Sequence, residues 1–104
     1  MATTPEKKVK DKIVRILKDE GVYYFFPATH GFGRSGIPDI VGCVAGMFFA
    51  IEVKAGRNKP TALQVAEIEA IRRSNGVAIV ANEENWEAVR ELVRSLRNSH
   101  SGGR

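Results

Sequence analysis

The chain has one cysteine, Cys43, and two histidines, His30 and His100, among 104 residues. A lone thiol excludes an internal disulfide, and neither histidine stands at metal-ligand spacing with another ligand type, which argues against a zinc site. Long hydrophobic runs are also missing. The longest, residues 40–51, is interrupted by Gly42 and Gly46 and is far shorter than the ~20 apolar residues that a bilayer span requires. The opening Met-Ala-Thr-Thr-Pro-Glu-Lys-Lys lacks the apolar centre of a secretory signal, so a cytoplasmic, reducing compartment is expected. No segment repeats.

What is present is balanced. With 43% hydrophobic and 27% charged residues, the chain has the composition of a soluble globular domain that folds without metal. One domain is expected over residues 1–97, and the polar, glycine-rich stretch 98–104 reads as a disordered tail. Sixteen Lys and Arg against twelve Asp and Glu leave a formal charge of +4, which favours a polyanionic partner. Charge alone does not make a nucleic-acid protein, so the case depends on a site.

Val9, Ile13, Ile16 and Leu17 recur at helical spacing and predict an amphipathic helix over residues 5–20, capped by Thr3 or Thr4 and ended by Gly21. The aromatic-rich residues 22–27 read as a strand, followed by a Gly-rich loop over residues 28–36. Residues 40–44 and 47–54 are β-favouring runs around Ala45-Gly46, the pattern of a tight hairpin. A second helix is predicted from near Thr61 to Asn75-Gly76, and residues 77–81 read as a buried strand interior to the sheet. Asn82 is placed to cap a last helix with Trp86, Val89, Val93 and Leu96 on one face. Cys43, inside a strand, is expected to be buried. The order αβββαβα predicts an α/β fold with helices packed on a mixed sheet.

The chemistry concentrates in Pro38-Asp39 and Glu52-Val53-Lys54. If Ala45-Gly46 turns the hairpin, Val44 faces Met47, and outward pairing sets Asp39 opposite Glu52. Directly paired residues have Cβ atoms roughly 4.5–5.5 Å apart, near enough for two carboxylates to share a divalent cation. Strand alternation puts Phe48, Ala50, Glu52 and Lys54 on one face and Phe49, Ile51 and Val53 on the other. Two acids and an ammonium are what phosphodiester hydrolysis needs: carboxylates for Mg²⁺ or Mn²⁺, and a cation to orient water and stabilise developing charge. Glu6 falls on the inward side of the first helix, where it either joins this site or closes a capping box with Thr3. Gln64 either reaches the site or caps with Thr61.

Gly36-Ile-Pro-Asp39, Phe48-Phe-Ala-Ile-Glu-Val-Lys54 and Gln64 resemble the VRR-NUC (virus-type replication-repair nuclease) branch of the PD-(D/E)xK superfamily, over residues 6–81. The resemblance implies a restriction-endonuclease-like core and a DNA endonuclease acting on branched or flapped DNA, with 5′-phosphate and 3′-hydroxyl products. It further implies that Asp39, Glu52 and the backbone carbonyl of Val53 hold Mg²⁺ or Mn²⁺, and that Lys54 positions the attacking water. Glu6 corresponds to the acid of the first helix and Gln64 to the glutamine that opens the next one. Lys10 departs from the pattern, which often has glutamine there. For a chain this short the resemblance also implies a homodimer with two active sites facing a four-way junction, and a likeness to phage-encoded and bacterial nucleases. His30 and Arg34, in the Gly-rich loop, either contact a phosphate or are simply solvated, and Arg34 with Lys59, in the polar turn of residues 56–60, are the nucleic-acid contacts expected. The alternative function is a catalytically silent nucleic-acid-binding module with the same fold.

Overall fold

The computed structural model describes residues 3–28 and 35–102. Helix α1 (Pro5–Asp19) forms because Val9, Ile13, Ile16 and Leu17 give it one apolar stripe, which is buried. Its N-cap is Thr4, whose hydroxyl accepts the Lys7 N–H at 3.1 Å. The third helical position is therefore Lys7, and Glu6, at the second, does not close a capping box. That explanation of Glu6 falls away.

Strands β1 (Tyr23–Phe25), β2 (Ile40–Val44) and β3 (Met47–Val53) are successively antiparallel, and β4 (Val77–Ala81) runs parallel to β3 after helix α2 (Ala62–Arg73). Ala45 and Gly46 both have positive φ, 52° and 82°, as a two-residue hairpin turn of matching twist requires. The turn sets the register from Val44↔Met47 to Ile40↔Ile51, and one further step outward brings Asp39 level with Glu52. The expected hairpin and its faces are thus both present.

On one face Phe49, Ile51 and Val53 pack with α1 and with helix α3 (Ala88–Gly102), which contributes Val89 and Val93. On the other face Val41, Ala50 and Ala78 pack against Ile68 of α2. The result is a mixed α/β sandwich compatible with a restriction-endonuclease-like core.

Four expectations are corrected. Among the described residues β4 is an edge strand, not an interior one: the crossover through α2 returns the chain to the free side of β3, and no further strand follows. The last helix begins at Ala88, not beside Asn82. Asn82 instead closes a local turn: its Oδ1 accepts the Glu84 N–H at 2.8 Å while its own N–H donates to Asn85 Oδ1 at 2.7 Å. The helix then continues to Gly102, past the end expected near residue 97. Cys43 is exposed: on its face Val41, Ala50 and Ala78 pack with Ile68 of α2, whereas Cys43 and its partner Phe48, nearer the hairpin turn, stay uncovered.

Candidate active site

The site lies at one end of the sheet, where the hairpin strands open between the N-termini of α1 and α2. Glu52, the last but one residue of β3, is only 2% exposed and is the one buried charged residue among those described. Glutamate seldom tolerates such burial without partners. Its Oε2 accepts from Gln64 Nε2 at 2.7 Å and lies 3.3 Å from Lys54 Nζ. Its Oε1 has no hydrogen-bond partner. A buried oxygen left in that state costs on the order of 1–3 kcal/mol, which marks a place where a ligand or a proton is missing. Burial, then the neighbouring Asp39 and more weakly Glu6, push the Glu52 carboxyl up to about 7, against the pull of Lys54.

Asp39 is held in place by the strand opposite: its Oδ2 accepts the Val53 N–H at 2.8 Å, extending the hairpin ladder by one side-chain bond. Pro38 is buried, and Gly36 brings the chain to it with φ of 84°. A Cβ at Gly36 would come within 2.5 Å of the Leu63 carbonyl, so only glycine lets this segment touch the start of α2. Both readings of Gln64 hold at once. Its Oε1 accepts the Thr61 N–H at 2.9 Å in a full capping box, which leaves the Nε2 free to bond Glu52.

Lys54 follows β3 and remains tied to β4 through its N–H, which donates to Ala81 O at 2.9 Å. Two residues on, the Gly56 N–H is gripped by both carboxylate oxygens of Glu83, at 3.0 and 3.1 Å. Glu83 is a support that the sequence reading did not single out. Glu6 lines an open cleft of about 490 Å³ together with Asp39, Lys10 and Phe26. Lys59 is exposed and, among the described residues, lines none of the clefts around the carboxylates. Arg34 and His30 lie outside the described residues. Lys10 was legible as the position that departs from the family pattern, and Phe26 only as part of the aromatic-rich run 22–27.

The donor set suits a small hard cation. The orphaned Glu52 Oε1 and the Asp39 carboxylate supply two anionic oxygens, and among the described residues no third His, Cys, Asp or Glu completes a protein cage. Mg²⁺ is commonly bound in this way, by one or two carboxylates with the remainder from water and substrate phosphate.

Residues 6–89 match the archaeal Holliday junction resolvase (Hjc) family, and the match includes Glu6, Asp39, Glu52, Lys54 and Gln64. The chain belongs to the Hjc family. Hjc proteins are members of the PD-(D/E)xK nuclease superfamily, so the superfamily expected from Pro38-Asp39 and Glu52-Val53-Lys54 is the one found. A search of curated proteins gave no match. The Hjc-matching span runs from the start of α1 to the start of α3 and so includes the whole four-stranded sheet.

Proposed function

We propose that this protein is a single-domain, metal-dependent endonuclease that hydrolyses DNA phosphodiester bonds in branched substrates, four-way junctions above all, and acts as a homodimer. The observation that carries the reading is the buried Glu52, its Oε2 bonded by Gln64 and Lys54, its buried Oε1 without a partner and Asp39 close enough to raise its pKa. Membership of the Hjc family supplies the junction as substrate.

Asp39 and Glu52 would hold Mg²⁺ or Mn²⁺, with the Val53 carbonyl assisting. Such an ion, once bound, stabilises charge on the phosphoryl oxygens and lowers the pKa of water. The Val53 N–H fixes Asp39, and Gln64 fixes the Glu52 carboxylate through Oε2, which leaves its buried Oε1 for the ion. Lys54, mostly buried and anchored on Glu52, orients the attacking water and balances the negative charge that accumulates as the phosphate is attacked. Glu6 adds negative potential at the mouth of the site. The cut leaves 5′-phosphate and 3′-hydroxyl ends. The finer likeness to VRR-NUC nucleases, DNA contacts by Arg34 and Lys59, and a cytoplasmic setting belong to the same proposal. Support for the homodimer comes from Tyr23, Phe25 and Phe48, aromatic residues exposed on the same sheet face as Cys43, outside the cluster that packs with α2.

The test is cleavage of a labelled four-way junction, flap, linear duplex and single strand with Mg²⁺ or Mn²⁺, using wild type beside Lys54→Ala. Junction cleavage that disappears in the variant is expected. DNA binding without cleavage by the wild type would instead support the silent binding module.

A further inference from the structure

Lys7 and Lys10 line the cleft and Lys54 stands beside Glu52, and the three lysines are disposed differently. Lys7 is paired with Asp11 at 3.0 Å on the exposed flank of α1, and Lys54 is engaged with Glu52. Lys10 makes no ion pair among the described residues. Its Nζ instead stands over the Phe26 ring, 4.3 Å from the centroid. An aromatic face holds an ammonium without neutralising it, so the full charge stays available to an anion. The ring itself is braced: Tyr24 lies against it with centroids 5.9 Å apart, and Tyr24 packs on the core beneath α1.

The position of this charge matters as much as its freedom. Lys10 and Phe26 line the 490 Å³ cleft that holds Glu6 and Asp39, and also a second cleft of about 270 Å³ bounded by Ser35, Gly36 and Pro38. Asp39 borders both clefts, so a strand laid across Asp39 passes Lys10 on its way from one to the other.

We infer that Lys10, held up by Phe26, binds a backbone phosphate of the DNA strand next to the one that is cut. It is a positioning residue, not a catalytic one, and the inference rests on the nuclease reading above. Removing one such contact weakens binding for every sequence alike and lowers the salt dependence by about one ion. On the DNA form that the wild type cuts, Lys10→Ala is expected to raise KM about tenfold, with a much smaller effect on kcat, as for one lost charge-assisted contact. Lys10→Arg should restore KM, and Phe26→Leu should reproduce part of the loss. Binding measured in Ca²⁺ across a salt series should give Lys10→Ala a slope shallower by about one. A single neutral methylphosphonate placed at each linkage around the cut should identify one position at which wild type and Lys10→Ala become equal.

Equal KM and equal salt slope for wild type and Lys10→Ala would overturn the inference while leaving the nuclease reading intact. So would a loss confined to kcat that Lys10→Arg does not restore. A wild type that neither binds nor cuts DNA would overturn the nuclease reading itself, and this inference with it.

Discussion

A glutamate at the end of an inner strand, with one oxygen bonded twice and the other not at all, favours its protonated form until a cation arrives. The sign of the resulting pH dependence follows from the raised pKa. Between the ordinary 4.5 and about 7 the folded state keeps a proton that the unfolded state has lost, so Glu52 adds stability below 4.5 that disappears as pH rises through about 7. The whole effect is on the order of 3 kcal/mol, at about 1.4 kcal/mol for each tenfold change in the ionisation constant. Urea midpoints of the metal-free protein should therefore fall between pH 5 and pH 8, whereas those of Glu52→Gln should follow a flatter course. Because Mn²⁺ competes with that proton, it should raise the wild-type midpoint more at pH 8 than at pH 6. Gln64 offers a separate test, since its two roles use different atoms. Gln64→Glu keeps an acceptor for the Thr61 N–H but replaces the donor facing Glu52 with a second carboxylate. Thermal stability measured at acid pH should change little, while kcat at pH 8 should drop by about tenfold or more, the size expected for losing a hydrogen bond to a charged group.

At the level of elements, the hairpin was legible because two signals agreed: the Ala45-Gly46 pair, which takes up the turn with positive φ, and the β-favouring runs on either side of it. Once the turn was fixed, Asp39 could only stand level with Glu52. The α1–α3 junction was harder to read. Glu20 ends α1, where the helix dipole disfavours an acid, and α3 supplies the remedy. Arg90, Arg94 and Arg97, one stripe along α3, reach its carboxylate at 2.8, 2.9 and 3.2 Å, and Arg97 also donates to the Glu20 carbonyl at 2.8 Å. Arg94 first, then Arg90 and Arg97, hold the Glu20 carboxyl below its usual range in spite of burial. A depressed pKa means stability present above the unfolded value of 4.5 and lost as pH falls through the folded one. Glu20→Gln should consequently lower the urea midpoint at pH 7, and the gap to wild type should close by pH 3. The arginine spacing was visible in the sequence, but its target, 70 or more residues earlier, required the two helices to be packed.

For the whole molecule, burial depends on which element covers which half of the sheet, and single-sequence patterns carry little of that. Cys43 and Phe48 have the alternation of interior residues, yet both face outward where α2 stops short, and β4 reads like an inner strand because α2 packs on one face and Val77, Ile79 and Ala81 join the core on the other while its edge stays free. The bare aromatic half-face is where a second copy would sit. Light scattering should give twice the chain mass for wild type and the single mass for Phe48→Glu, which would leave a charge in the contact. The carboxylate pair was legible for the opposite reason: it depends on local register, not on coverage. The most direct test of its role is the initial rate of four-way-junction cleavage as Mg²⁺ is varied, with wild type beside Glu52→Gln. A wild-type rate that rises from zero and saturates with Mg²⁺, and a variant that stays near zero throughout, is the predicted result. Cleavage by Glu52→Gln at the wild-type rate, or wild-type cleavage that persists in EDTA, would contradict it.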